Sequence, residues 1–355
     1  MSILKRIKIT YLLFLFGAVS ICVSAQIPLN YYVSAEGKSG ATLKTALYQI
    51  INPHTVLDYY DMWLYYPTTD CRPENTSVIW DMYSNNSTLF SERFGVMERE
   101  HCVPKSWWGG STTDTHYSDL FNLYPSYGEA NQEKLNYPLS EVASVVYDNG
   151  SCKVGTSIYS GYSDDAFEPA DEYKGDFART YFYMVTCYQN ITTWETYSYC
   201  MFENTTYPTI KTWALNLLLE WHRNDSVSDK EISRNNAVYG FQNNRNPFVD
   251  YPELVEHVWG KDTTVVWNIT NSTKNEAYKN FSIKNTLVSS YIEFSSEQIE
   301  NRDIYYQIIS PMGSVLLFGK LNASKIDVNN LPKGVYVLNV KDLTNNQTSI
   351  NFIKN

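Results

Sequence analysis

A carboxylate, a histidine and, one element later, a carboxamide occur in an order that suits phosphodiester chemistry. Glu98-Arg99-Glu100-His101-Cys102-Val103-Pro104-Lys105-Ser106 carries the first two. Asn131 follows His101 by thirty positions, closing the run Asn122-Leu-Tyr-Pro-Ser-Tyr-Gly-Glu-Ala-Asn131. With one hard divalent metal these types suffice to hydrolyse a phosphodiester. Magnesium takes oxygen ligands in octahedral geometry and keeps several waters, so one carboxylate and one neutral amide leave room for phosphate oxygens. Histidine, with an ordinary pKa of about 6.5, is a neutral base near neutral pH. The metal in such a scheme is Lewis acid and template, and the histidine is the base rather than a ligand.

Three elements must position these groups. Arg93 to His101 reads as a strand entering a loop, and Asp119 to Leu123 as a short second strand. Ser126 and Glu129 have the spacing of a capping box, which predicts a helix starting there with Asn131 about one turn inside it. Adjacent strand residues point to opposite faces, so Glu100 and His101 share a site only if the strand ends or bends between or just after them. Pro104 makes that bend plausible.

Arg99-Glu-His-x-x-Pro-Lys-Ser106, Asp119-Leu-Phe-Asn-Leu-x-Pro125, Asn131 and Asn136-Tyr137 together resemble the bacterial secreted endonuclease I family, of the histidine-metal finger (ββα-metal) superfamily. Asp171 to Met184, Val227 to Tyr239 and Gln242 to Asp250 look like later segments of the same family, so the resemblance spans roughly residues 30 to 260. It implies a secreted, metal-dependent, largely sequence-nonspecific endonuclease acting on DNA and also on RNA. By that resemblance His101 is the general base, Glu100 and Asn131 hold Mg2+, with Mn2+ or Ca2+ as substitutes, and Asn122 supports the histidine or the hairpin. A non-catalytic surface or adhesive protein with a nuclease-like fold is the alternative.

The phosphate grip is where the sequence departs from the family. An arginine-serine-asparagine run commonly follows the helix asparagine there, whereas this chain has Glu133-Lys134-Leu135-Asn136. Lys134 offers a point charge in place of a planar fork. Arg245, in Asn-Asn-Arg-Asn-Pro-Phe, is the best candidate fork, against a loop arginine bonded to carbonyls; Arg234 ranks below it. Asp176 and Arg179, three apart on an expected helix, read as an ion pair. Trp107-Trp108 either stack bases or fill the loop core, with the core favoured, and His116 lies close enough in sequence to reach the rim. Cys102 is excluded as a nucleophile because its side chain and that of the neighbouring His101 diverge. The chain has no Gly-x-x-x-x-Gly-Lys-Ser/Thr, His-Glu-x-x-His, Gly-x-Ser-x-Gly or Gly-x-Gly-x-x-Gly, which removes triphosphatase, zincin, serine-hydrolase and dinucleotide readings.

Residues 1–25 have the form of an export signal: Lys5, Arg6 and Lys8, an apolar run from Ile9 to Val23, and Val23-Ser24-Ala25 at the cleavage site. No second apolar run is a membrane-span candidate, so the expected product is released or held at the cell surface as a monomer. The expected fold class is α+β, with a mainly helical nuclease domain at 26–262 carrying the finger. A linker at 263–276 and a small all-β sandwich at 277–355 follow. The last 40 residues, with Leu331-Pro-Lys-Gly-Val-Tyr and the closing Asn351-Phe-Ile-Lys-Asn355, resemble the C-terminal sorting domain of the type IX secretion system, which implies an export machinery as partner. Losing Cys22 with the signal leaves Cys71, Cys102, Cys152, Cys187 and Cys200, with Cys187–Cys200 the preferred pair. Charge argues against a nucleic-acid binder: removing three basic residues from 28 Lys and Arg leaves 25 against 38 Asp and Glu, with no basic stripe.

Overall fold

A helix buried along nearly its whole length stands at the centre of the first unit. In the computed structural model, residues 27–28, 30–191, 193–194, 198, 200–269, 283–294, 304–310, 315–321, 324–342 and 347–355 are described. The export signal read at 1–25 and residues 270–276 of the expected linker lie outside them. The chain divides into two units, Met1–Trp267 and Asn268–Asn355.

The first unit is a mixed α+β structure. Its helices are α1 (Gly40–Ile51), α2 (Met62–Thr69), α3 (Gly128–Lys134), α4 (Lys174–Cys187), α5 (Thr212–Asn224), α6 (Asp229–Gln242), α7 (Pro247–Asp250) and α8 (Leu254–Val258). Its strands form a ribbon of β1 (Cys71–Arg72) and β2 (Asn75–Ile79), a hairpin of β3 (Met97–His101) and β4 (Leu123–Tyr127), and an antiparallel sheet of β5 (Val142–Asp148), β6 (Lys153–Ser157) and β7 (Asp165–Glu168). Every residue of α4 from Gly175 to Cys187 is buried, as its run of Phe, Tyr, Met and Val on all sides requires. α1, α5 and α7 pack around it. Its one arginine, Arg179, is neutralised by Glu231 and, at 3.5 Å, by Asp176, so the expected intrahelical ion pair is part of a larger buried cluster.

The hairpin and the helix after it differ in detail from the sequence expectation. β3 and β4 are antiparallel, with Met97 opposite Tyr127 and His101 opposite Leu123. The second strand therefore starts at Leu123, where the expected one would end. Asp119 accounts for the offset: its side chain accepts from the Phe121 amide at 2.9 Å and its carbonyl from the Asn122 and Leu123 amides, curling the chain through that stretch. α3 starts at Gly128 behind an N-cap, Tyr127, that makes no side-chain cap, and Ser126 lies within β4, so the Ser126–Glu129 capping box does not form. A box of that kind does form at α6, between Ser228 and Glu231.

The second unit is all-β. A five-stranded sheet runs in the order β11 (Val315–Lys320), β10 (Ile304–Ile309), β13 (Gly334–Asp342), β14 (Gln347–Lys354), β8 (Leu287–Val288), and β9 (Tyr291–Glu293) pairs with β12 (Lys325–Asp327). Its core includes Ile292, Phe294, Ile304, Ile308, Val328, Leu338, Val340 and Phe352. No helix among the described residues is long and apolar enough to cross a membrane.

Candidate active site

Strand alternation sorts the motif residues of β3 onto two sides. Glu98 and Glu100 occupy one, Arg99 and His101 the other. Helix α3 covers the glutamate side. Asn131 donates from Nδ2 to Glu98 Oε2 at 2.6 Å, Gln132 donates to Glu98 Oε1 at 3.2 Å, and Lys134 donates to Glu100 Oε1 at 2.7 Å. Gly128 permits this approach, because a Cβ there would stand 3.2 Å from the Val96 carbonyl oxygen and 3.5 Å from the Glu98 side chain. Burial pushes the Glu100 carboxyl above its ordinary value, and the Lys134 ammonium partly offsets that.

On the other side His101 is 4% exposed and enclosed by aromatic rings. It lies parallel to Tyr59, with ring centres 6.0 Å apart, and meets Tyr117 and Trp108 at 4.9 and 5.8 Å. Its Nε2 is 2.8 Å from the Tyr117 carbonyl oxygen. A carbonyl only accepts, so Nε2 carries the proton and Nδ1 keeps a lone pair. Burial drives the imidazole pKa down to about 3, against the opposing pull of the carbonyl, so the ring is neutral at ordinary pH. The two sides communicate at the strand end, since Lys105 and Lys134 act electrostatically on both Glu100 and His101.

The expected grouping is thus redistributed. Asn131 engages Glu98 rather than Glu100, and Glu100 is held by Lys134. Asn122 is fully buried and bonds backbone: its Oδ1 accepts from the Val103 amide at 2.8 Å and its Nδ2 donates to the Val103 carbonyl at 3.1 Å. It therefore supports the turn after His101 and not the imidazole. The hairpin is fixed to the helical core through Asp119, which accepts from the Tyr183 and Tyr188 hydroxyls at 2.7 and 2.6 Å and from Gln242 at 2.9 Å. Arg234 bonds the Leu120 and Leu123 carbonyls and pairs with Asp70 at 2.8 Å, which makes it a buried support of the same hairpin.

Arg245 is a correction. It is 2% exposed, donates twice to Asp250 at 2.7 Å and once to Asn236 at 2.8 Å, and its aromatic neighbour is Tyr239. Its Nε and Nη2 are thus engaged inside the protein, which favours the structural loop arginine over the expected phosphate fork. Lys134, fully buried against Glu100, is not a free phosphate contact either. Trp107 and Trp108 are core residues, 1% and 4% exposed. His116 is buried too, between Trp108 and Tyr188, and burial lowers its pKa to about 4. Cys102 is a buried thiol with its pKa pushed up to about 12, so it stays protonated. The preferred Cys187–Cys200 bond does not form: both carry unbridged thiols, as do Cys102 and Cys152.

Glu98 was not singled out from the sequence, although its two-residue spacing from Glu100 places both on one strand face. Its carboxylate, that of Glu100 and the amide oxygen of Asn131, whose nitrogen is already engaged, are hard oxygen donors carried on β3 and α3. Such donors fit a magnesium-like ion, which takes few protein ligands and completes its shell with water and phosphate. No cluster of three or more His, Cys, Asp or Glu with metal-holding geometry occurs among the described residues.

Residues 39–253 match the family model described as Endonuclease I. The chain is 33% identical over 246 residues to the Extracellular ribonuclease of Bacillus subtilis (strain 168), covering 65% of this chain and 78% of that protein. It is 33% identical over 236 residues to the Extracellular ribonuclease of Bacillus amyloliquefaciens, with the same two shares. To the Endonuclease-1 of Buchnera aphidicola subsp. Baizongia pistaciae it is 27% identical over 177 residues, 45% of this chain and 63% of that protein. The family match begins at the cap of α1 and contains the hairpin, α3 and every site residue described above. This chain is a phosphodiester-hydrolysing nuclease and belongs to the Endonuclease I family.

Proposed function

We propose that the chain is an exported, metal-dependent and largely sequence-nonspecific endonuclease of DNA and RNA, with β3, β4 and α3 as its ββα-metal finger. The observation that carries this reading is the Nε2 contact of His101 with the Tyr117 carbonyl, which leaves Nδ1 as a neutral proton acceptor. His101 takes a proton from the attacking water at Nδ1 as the water oxygen bonds to phosphorus and the bond to the leaving oxygen breaks. Glu100 and Asn131, joined by Glu98, hold the metal. When bound, Mg2+, or Mn2+ or Ca2+ in its place, supplies Lewis acidity that neutralises charge on the phosphate and leaving oxygen. Lys134 holds the buried Glu100 carboxyl in place and partly offsets the upward push of burial on its pKa.

Export is supported by the signal-like first 25 residues and by two relatives named as extracellular. RNA as a substrate is supported by the same two names. The all-β second unit, ending in β14, fits a sorting or anchoring module that addresses an export machinery. Incubation of the full chain with supercoiled plasmid and with RNA, in Mg2+ and in EDTA, tests the reading. Nicking and RNA cleavage in Mg2+ that stop in EDTA are expected. No digestion with Mg2+, Mn2+ or Ca2+ would instead favour a non-catalytic surface protein.

A further inference from the structure

Among the described residues two arginines, Arg93 and Arg99, lack a carboxylate, and each has an exposed aromatic ring near its guanidinium. Among the described residues Arg72, Arg179, Arg223, Arg234 and Arg245 each face a carboxylate. Arg93 and Arg99 do not. The Arg99 guanidinium lies 4.0 Å from the centre of the Tyr59 ring and 5.9 Å from that of Tyr60, and donates to the Tyr59 carbonyl at 2.8 Å. Tyr59 in turn is parallel to His101, so His101, Tyr59, Arg99 and Tyr60 form one continuous series. Tyr60 is 77% exposed. Arg93 repeats the arrangement, 4.1 Å from the ring of Phe94, also 77% exposed, and 5.4 Å from Trp63, three residues beyond Tyr60.

We infer that Tyr60 and Arg99 form a platform for single-stranded nucleic acid next to the scissile phosphate. Tyr60 stacks an unpaired base, and Arg99, without a competing carboxylate, contacts the adjoining phosphate. The chemistry selects this occupant. A flat ring free in water beside a guanidinium matches a base carried on a phosphate, and stacking of that kind tolerates any sequence. Duplex bases are already stacked inside their helix and present mainly phosphates, so they gain little from Tyr60. The same series supplies the positive contact that neither Lys134 nor Arg245 provides. The inference rests on His101 marking the cleavage point.

Anisotropy of fluorescein-labelled dT12 with the full chain in EDTA reads binding without cleavage. Tyr60→Ala should bind dT12 at least about five-fold more weakly than wild type, the lower end of what one stacked base supplies. Tyr60→Trp should bind like wild type or tighter, and a 12-base-pair blunt duplex should be bound alike by all three. Arg99→Gln should lower the slope of log affinity against log salt by about 0.7, one single-strand phosphate. Unchanged dT12 affinity in Tyr60→Ala, or an equal loss for dT12 and duplex, overturns the platform. Nicking by the same wild-type preparation in Mg2+ is scored separately: its absence would overturn the cleavage reading, while the dT12 ratio would still decide the platform.

Discussion

At the scale of single residues, the site depends on how buried charges and lone pairs are partnered. Glu100 and Lys134 form a pair whose side chains are 9% and 0% exposed. Lys134→Met would leave a buried carboxylate uncompensated, a change that costs about 3–5 kcal/mol, read as a lower midpoint in urea unfolding. Asn131→Ala should leave stability nearly unchanged, because the residue is partly exposed, but should raise the Mg2+ concentration needed for half-maximal nicking. An unchanged metal titration would remove Asn131 from the site. The Glu100, His101 and Asn131 types were legible in the sequence. The identity of each partner was not, because whether Asn131 meets Glu98 or Glu100 depends on how α3 lies across β3. Glu98 was legible in principle, since period two puts it on the face of Glu100.

At the scale of elements, the hairpin is a graft on a helical core, and long-range hydrogen bonds hold it there. Tyr183 from α4, Tyr188 at its C-cap and Gln242 from α6 converge on Asp119, and Arg234 clamps the carbonyls leading into β4. Local reading located a strand, a strand and a helix in order. It misplaced the second strand because the curl at Asp119 is fixed by partners more than sixty residues away. Arg245 illustrates the opposite case: its partner Asp250 lies in the same short run, so the structural role was available from the text alone. Arg245→Ala should lower stability by about 3–5 kcal/mol through the buried Asp250 left behind, with dT12 affinity of the folded protein unchanged. A weakened affinity at full folding would return Arg245 to the substrate.

At the scale of the whole molecule, the proposed Tyr60–Arg99 platform would let a net-acidic chain meet phosphate with positive charge placed locally rather than spread over a stripe. Burial also sets a pH dependence. His222 on α5 lies 3.0 Å from the Pro252 carbonyl, and burial, aided by Arg179, lowers its pKa to about 4. Between an unfolded value near 6.5 and that folded one, only the unfolded chain takes up the proton, so stability falls as pH drops through this window. His222→Gln should flatten the fall of the urea midpoint between pH 7 and 5; an unchanged slope would assign the loss to other groups. The first unit closes on itself through Trp267, whose amide and carbonyl bond Lys38 and Gly37 at 2.8 Å each. A chain ending after Trp267 should therefore retain Mg2+-dependent nicking.

The division of labour around His101 is tested most directly by single-turnover cleavage of one phosphodiester substrate at saturating Mg2+, comparing wild type with His101→Ala. Loss of the positioned base should lower the rate by about 10²- to 10⁴-fold while Mg2+ affinity stays the same. Cleavage by His101→Ala at the wild-type rate would contradict the account.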